Sequence, residues 1–185
     1  PDAKFPVIYA EKGILHITLE GSVPSDEADN GRVKLISIEG GERANMIPAE
    51  CEYSYSILHD DKKLEVVKST SKGSPGHASL PEFGENAISK ALNELHTVFS
   101  ENNSSNPIID FFADNIKLET NGESFGIGYT DEKSGSLTCN VGLISFKDNL
   151  VSVTFDIRYP VTAKSENIVE IIGLKAKKYG LEIKS

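Results

Sequence analysis

One histidine stands in a setting unlike that of the other three. His77 lies in Gly76-His77-Ala78-Ser79-Leu80-Pro81-Glu82-Phe83-Gly84-Glu85-Asn86-Ala87-Ile88, a turn-forming run that leads directly into helical spacing. An imidazole on a loop at a helix mouth can donate or accept a hydrogen bond near neutral pH. The plainer reading is a turn histidine that caps the following helix. Arg158, in Phe155-Asp156-Ile157-Arg158-Tyr159-Pro160, stands where a strand ends and on its polar side. Its guanidinium fork suits a carboxylate, either a ligand's or that of Asp156, two residues back on the same face. Asn45, in Gly40-Gly41-Glu42-Arg43-Ala44-Asn45-Met46-Ile47-Pro48, is a loop asparagine able to satisfy its own turn. Asn140, in Thr138-Cys139-Asn140-Val141-Gly142, either contacts a ligand or closes a loop. Asp2 is a lone carboxylate near the first residue. His16, His59 and His96 show no metal-ligand spacing, and structural or solvent roles suit them.

The elements that must position these groups follow from periodicity. Residues 5–9 and 14–19 read as short strands, 26–31 as a polar loop and 33–38 as a further strand. Cys51, Tyr53, Tyr55 and Ile57 alternate with polar residues, and Asp60-Asp61 turns that strand into residues 64–69 as a hairpin. Apolar residues from Ala87 to Phe99 recur at helical spacing, with Glu85 near the N-terminus, where negative charge is favoured. A second helix is predicted over 107–115, with Pro107 in its first turn. Residues 125–129 and 137–146 read as strands joined by a turn over 131–135. Lys147-Asp148-Asn149 then turns into a strand over 150–159. There Val151, Val153, Phe155 and Ile157 share one face, and Ser152, Thr154, Asp156 and Arg158 the other. Ser165 is expected to cap a last helix that Gly180 ends, and residues 181–183 to add an edge strand. The implied class is α+β, antiparallel sheets with helices on one face, a ferredoxin-like sandwich in two lobes with a soft boundary near 72–85.

Composition narrows the partners. A chain of 185 residues can bury a sizeable core, and its net charge of −9 argues against nucleic acid, which needs clustered Lys and Arg. Only three arginines occur: Arg32, Arg43 and Arg158. Cys51 and Cys139 are far apart, which suits buried reduced thiols and a cytoplasmic setting. No apolar run approaches a membrane span, so no membrane partner is expected. The chain starts at Pro1 without Met and reads as a piece of a longer protein.

These segments resemble a known family. The His77 run is similar to the lid-domain motif of the dinuclear-zinc exopeptidases, the superfamily of aminoacylases, carboxypeptidase G and PepV-type (Xaa-His) dipeptidases. Gly76, His77, Ala78, Ser79, Pro81, Gly84, Asn86 and Ala87 match its pattern. Asn45-Met46-Ile47-Pro48, Asp156-Ile157-Arg158-Tyr159-Pro160, Thr138 to Gly142 and the opening Pro1 to Gly13 resemble PepV-type dipeptidases more narrowly. One departure is the short Asp60-Asp61 hairpin, where the family has more chain, including a helix.

The resemblance implies roles. His77 would stabilise the oxyanion of a tetrahedral intermediate. Arg158 would grip the C-terminal carboxylate of a dipeptide substrate, and Asn45 and Asn140 would face that substrate. Asp2 would ligate one of two zinc ions in the full-length parent. The other ligands are missing, with no His-x-Asp, no Glu-Glu pair and no Gly-Gly-Gly-Thr segment, and one carboxylate cannot build a zinc site. Residues 1–12 would end a catalytic-domain segment, 13–164 form the lid, and 165–185 lead back to the missing catalytic domain. Alone, the chain is expected to bind no zinc and to be inactive. A monomer is favoured, with a lid-mediated dimer as the alternative. The rival reading is a stand-alone ferredoxin-like module that binds a protein partner.

Overall fold

Alternating burial builds the sheet. In the computed structural model, which describes residues 10–23 and 32–184, β10 (Leu150–Tyr159) buries Val151, Val153, Phe155 and Ile157 on one face. It pairs antiparallel with β1 (Gly13–Ser22) and with β9 (Thr138–Lys147). The β9–β10 turn is Asp148-Asn149, both at positive φ (52° and 63°), which matches the twist of a two-residue hairpin. β2 (Val33–Gly40) joins β9 through Ile38–Gly40 and pairs on its other side with β4 (Glu50–Leu58). The expected hairpin then adds β5 (Leu64–Lys72), and β11 (Leu181–Ile183) lies against β1. The sheet order is β11-β1-β10-β9-β2-β4-β5. Residues before 72 and after 85 therefore meet in one sheet. Two small ladders stand apart from it, β3 (Met46–Ile47) with β6 (Gly76–His77), and β7 (Thr130–Asp131) with β8 (Gly135–Ser136).

Among the described residues, three α-helices cover one face. α1 (Ala87–Glu101) starts where Asn86 Oδ1 accepts from Ile88 N–H at 2.9 Å and Ser89 N–H at 3.1 Å. It lies over β2, β4, β5 and β9. α2 (Pro107–Asn115) has Pro107 in its first turn, as predicted, and packs on α1. α3 (Ser165–Lys177) covers β1 and β11. One buried cluster joins them all, with Phe155 5.7 Å from Phe125 and 6.2 Å from Phe112 between ring centres. The architecture is α+β.

Two local expectations fail. Residues 125–129 are not a strand: Gly122 and Gly126 take positive φ, and the backbone turns through Gly126 N–H to Glu123 O (2.9 Å) and Ile127 N–H to Gly122 O (3.0 Å). Phe125 and Ile127 are fully buried all the same, which is why their spacing imitates a strand. Ser165 does not cap α3. Lys164 holds the cap position with extended dihedrals and no side-chain bond, and Ser165 is the first helical residue. The strand over 5–9, the loop over 26–31 and Asp2 lie outside the described residues.

Candidate functional site

The seam between β2 and β9 opens beyond Gly40, and the chain crosses it as the 41–48 loop. Gly41 is at φ 86°, and a Cβ there would stand 1.9 Å from Gly142 O. A Cβ on Gly142 would stand 2.2 Å from Ala44 O. The two glycines let the loop lie directly on β9. Asn140 fastens it. Its Nδ2 donates to Ala44 O (3.2 Å) and Met46 O (2.9 Å), and its Oδ1 accepts from Asn86 Nδ2 (2.9 Å). Asn86 Nδ2 also donates to Val141 O at 2.9 Å. One side chain therefore caps α1 and ties it to β9.

The same loop carries His77. Met46 pairs with His77 in the β3–β6 ladder, and Ala78 N–H donates to Asn45 O at 3.0 Å. The His77 side chain is exposed. Its Nδ1 lies 3.2 Å from Ser79 N–H and 2.7 Å from Ser79 Oγ. A backbone N–H only donates, so Nδ1 accepts, and the neutral ring carries its proton on Nε2. Among the described residues that Nε2–H has no hydrogen-bond partner. Large apolar side chains stand exposed beside it: Met46, Leu80 and Phe83, the last 76% accessible.

Arg158 lies one strand further on. In the ladder Asp156 faces Asn140 and Arg158 faces Thr138, so these side chains share a face. Arg158 Nε donates to Asp156 Oδ1 at 2.7 Å and Nη2 to Oδ2 at 2.9 Å. Asp156 is fully buried, and its Oδ2 also lies 2.8 Å from His16 Nε2. Burial, and after it the nearby charge of Asp156, pushes the Cys139 thiol up to about 12. Beneath the His77 loop a cavity of about 310 Å³ is lined by Ile47, Pro81, Asn86, Lys90, Leu118 and Asn140, among others. Glu119 at its wall is held below the usual carboxylate range by the hydroxyl and N–H of Ser124. Neither His77 nor Arg158 lines this cavity.

His77, Asn45 and Asn140 thus meet at one loop, and Arg158 stands on the neighbouring strand, where Asp156 holds it. Arg158 does pair with Asp156, the plainer of its two readings. Asn140 is buried with both ends bonded, the geometry of a residue that closes a loop. His16 bonds the Asp156 carboxylate, a structural role. Asn86 stood in the motif without a role, although its place before an apolar helical run is a capping signal. Thr138 opens the run that ends at Gly142, without a role of its own. Among the described residues no three His, Cys, Asp or Glu side chains come together to hold a metal ion, so these residues do not by themselves fit a zinc site.

No family model matches the chain. It is 30% identical to a protein named a putative dipeptidase from Staphylococcus haemolyticus, over 99% of the chain and 44% of that protein. Putative dipeptidases from two strains of Staphylococcus aureus are 26% identical over the whole chain, again across 44% of their own length. The chain thus spans less than half the length of these relatives. The matches run over 206 positions, more than the chain's 185 residues, so the relatives carry insertions within the matched region. This similarity, end to end in the chain, makes it a relative of proteins named as putative dipeptidases and supports a dipeptidase-related family.

Proposed function

We propose that the chain is the lid, or substrate-binding, domain of a longer zinc-dependent dipeptidase that hydrolyses the peptide bond of dipeptides. The observation that carries this reading is the His77 turn. Its Nδ1 is occupied by Ser79, so the exposed ring offers Nε2–H as a donor. A donor of that kind suits an oxygen that gains negative charge as a carbonyl becomes tetrahedral. Asn45 lies alongside it on the paired segment. Arg158 would bind the substrate's terminal carboxylate, which restricts such an enzyme to short peptides. The exposed Leu80 and Phe83 are surface that a second, catalytic half would cover on closing. That half would supply the water-activating base and the metal ligands other than Asp2, which this chain would contribute. On this reading the 185 residues alone hydrolyse nothing.

The test is His77→Ala in the full-length protein that carries this chain. The expected result is a fall in kcat of about a hundredfold to a thousandfold with little change in KM, as for removal of an oxyanion donor. A fall of less than about tenfold takes His77 out of the reaction.

A further inference from the structure

The Arg158 side chain is held more completely than a strand arginine needs to be. Its partner Asp156 is fully buried, and the Arg158 side chain itself is only 14% accessible. Both carboxylate oxygens are used: Oδ1 takes Nε, and Oδ2 takes Nη2 and His16 Nε2. The side-on pair fixes the plane of the guanidinium. Of its five N–H groups, two are committed to Asp156. The rest have no hydrogen-bond partner among the described residues. Across the ladder, Thr138 Oγ1 is buried and also lacks a partner among the described residues. A buried hydroxyl without a hydrogen bond is costly. The residue that carries the partly uncommitted guanidinium therefore pairs across the ladder with one whose hydroxyl is also unsatisfied. That is the composition of a site for an acceptor that can take several hydrogen bonds, such as a carboxylate.

His16 adds a third donor to the buried Asp156 carboxylate. It reaches from β1, in the register opposite Asp156, and its side chain is 51% accessible. Its Nε2–H and the Arg158 Nη2–H meet on one oxygen. A carboxylate held from both sides cannot rotate away when a ligand pulls on the arginine. We propose that His16 is a positioning residue for carboxylate recognition: acting through Asp156, it holds the Arg158 guanidinium with its free edge turned to the ligand. This rests on the reading of Arg158 as the carboxylate anchor. Holding a long side chain in its bound geometry removes part of the ordering cost of binding.

The experiment uses the full-length protein, dipeptides with a free C-terminus, and the same dipeptides as C-terminal amides. His16→Ala should raise KM for the free acids by about fivefold, with kcat unchanged and the amides unaffected. His16→Gln, whose amide can still donate to Asp156, should restore most of the affinity. Arg158→Met should raise KM for the acids far more, and His16→Ala added to it should have no further effect, because the two act in series. Unchanged KM in His16→Ala beside a large effect of Arg158→Met overturns the role of His16 alone. Equal effects on acids and amides, or failure of Gln to rescue, also overturn it. Unchanged KM in Arg158→Met removes the anchor, and with it the reading on which this proposal rests.

Discussion

Asn140 shows how much one amide can hold in place. Its two N–H groups fix the carbonyls on either side of Asn45, and its oxygen anchors the residue that caps α1. Met46, whose carbonyl it holds, pairs in turn with His77. Replacing Asn140 by Ala deletes three hydrogen bonds at a buried position and leaves their partners short. The expected loss is about 2–4 kcal/mol of stability, read as a lower urea midpoint at unchanged slope. A loss under about 0.5 kcal/mol would show that the loop holds itself. This position marks the limit of what sequence reveals at residue scale. Substrate contact and loop closure both call for an asparagine at a strand end, and only its partners separate the two. Arg158 is the same case: the fork suits a ligand and suits Asp156, and in the chain itself it meets Asp156. His77 was easier to single out, because a lone imidazole among Gly, Ser and Pro has few local uses.

At the scale of elements, the small β7–β8 hairpin is tied to the end of the strand that carries Arg158. Asp131 Oδ1 accepts from Ser134 N–H at 2.6 Å and from its hydroxyl at 2.9 Å. Its Oδ2 accepts from Thr162 N–H at 3.2 Å. Ser134 Oγ accepts in turn from Val161 N–H at 3.0 Å. The Ser134 N–H is the largest cause that lowers the Asp131 carboxyl from 3.8 to about 2. A carboxyl depressed on folding stabilises the fold above its unfolded value, and that contribution fades as pH falls through the folded one. Asp131→Ala should therefore lower Tm at neutral pH, and the gap to the parent should close between about pH 4 and pH 2. A gap that stays constant across that range would assign the effect to packing. Elements with strict alternation or helical spacing were legible in the chain: β4, β5, β10, α1 and α2 stand where the pattern puts them. Residues 125–129 were not, because Phe125 and Ile127 face the core from a turn. Apolar spacing reports burial, and burial does not always come from a strand.

The molecule as a whole decides how these parts fail. The sequence suggests two lobes, and β2 meets β9 over only three residue pairs. Yet α1 lies across β2, β4, β5 and β9, and one buried cluster runs from Tyr53 to Phe155 and Ile172. Pairing across such a seam depends on residues far apart in the chain, so it is invisible to local pattern. Two native probes report on it. Cys51 sits in β4, and Cys139 in β9 beyond the seam; both are buried and unpaired. Burial pushes each thiol up to about 12. Neither should react with a thiol reagent at pH 8 while the fold is intact, since the thiolate is the nucleophile. If the shared cluster makes folding a single transition, both thiols become reactive at the same urea concentration, together with loss of the circular dichroism of the sheet. Phe155→Ala, which removes the ring between Phe112 and Phe125, should then lower both thiol transitions together, by about 3–5 kcal/mol. Release of Cys51 at lower urea than Cys139, with only Cys139 sensitive to Phe155→Ala, would mean that the residues before the seam unfold as a unit of their own.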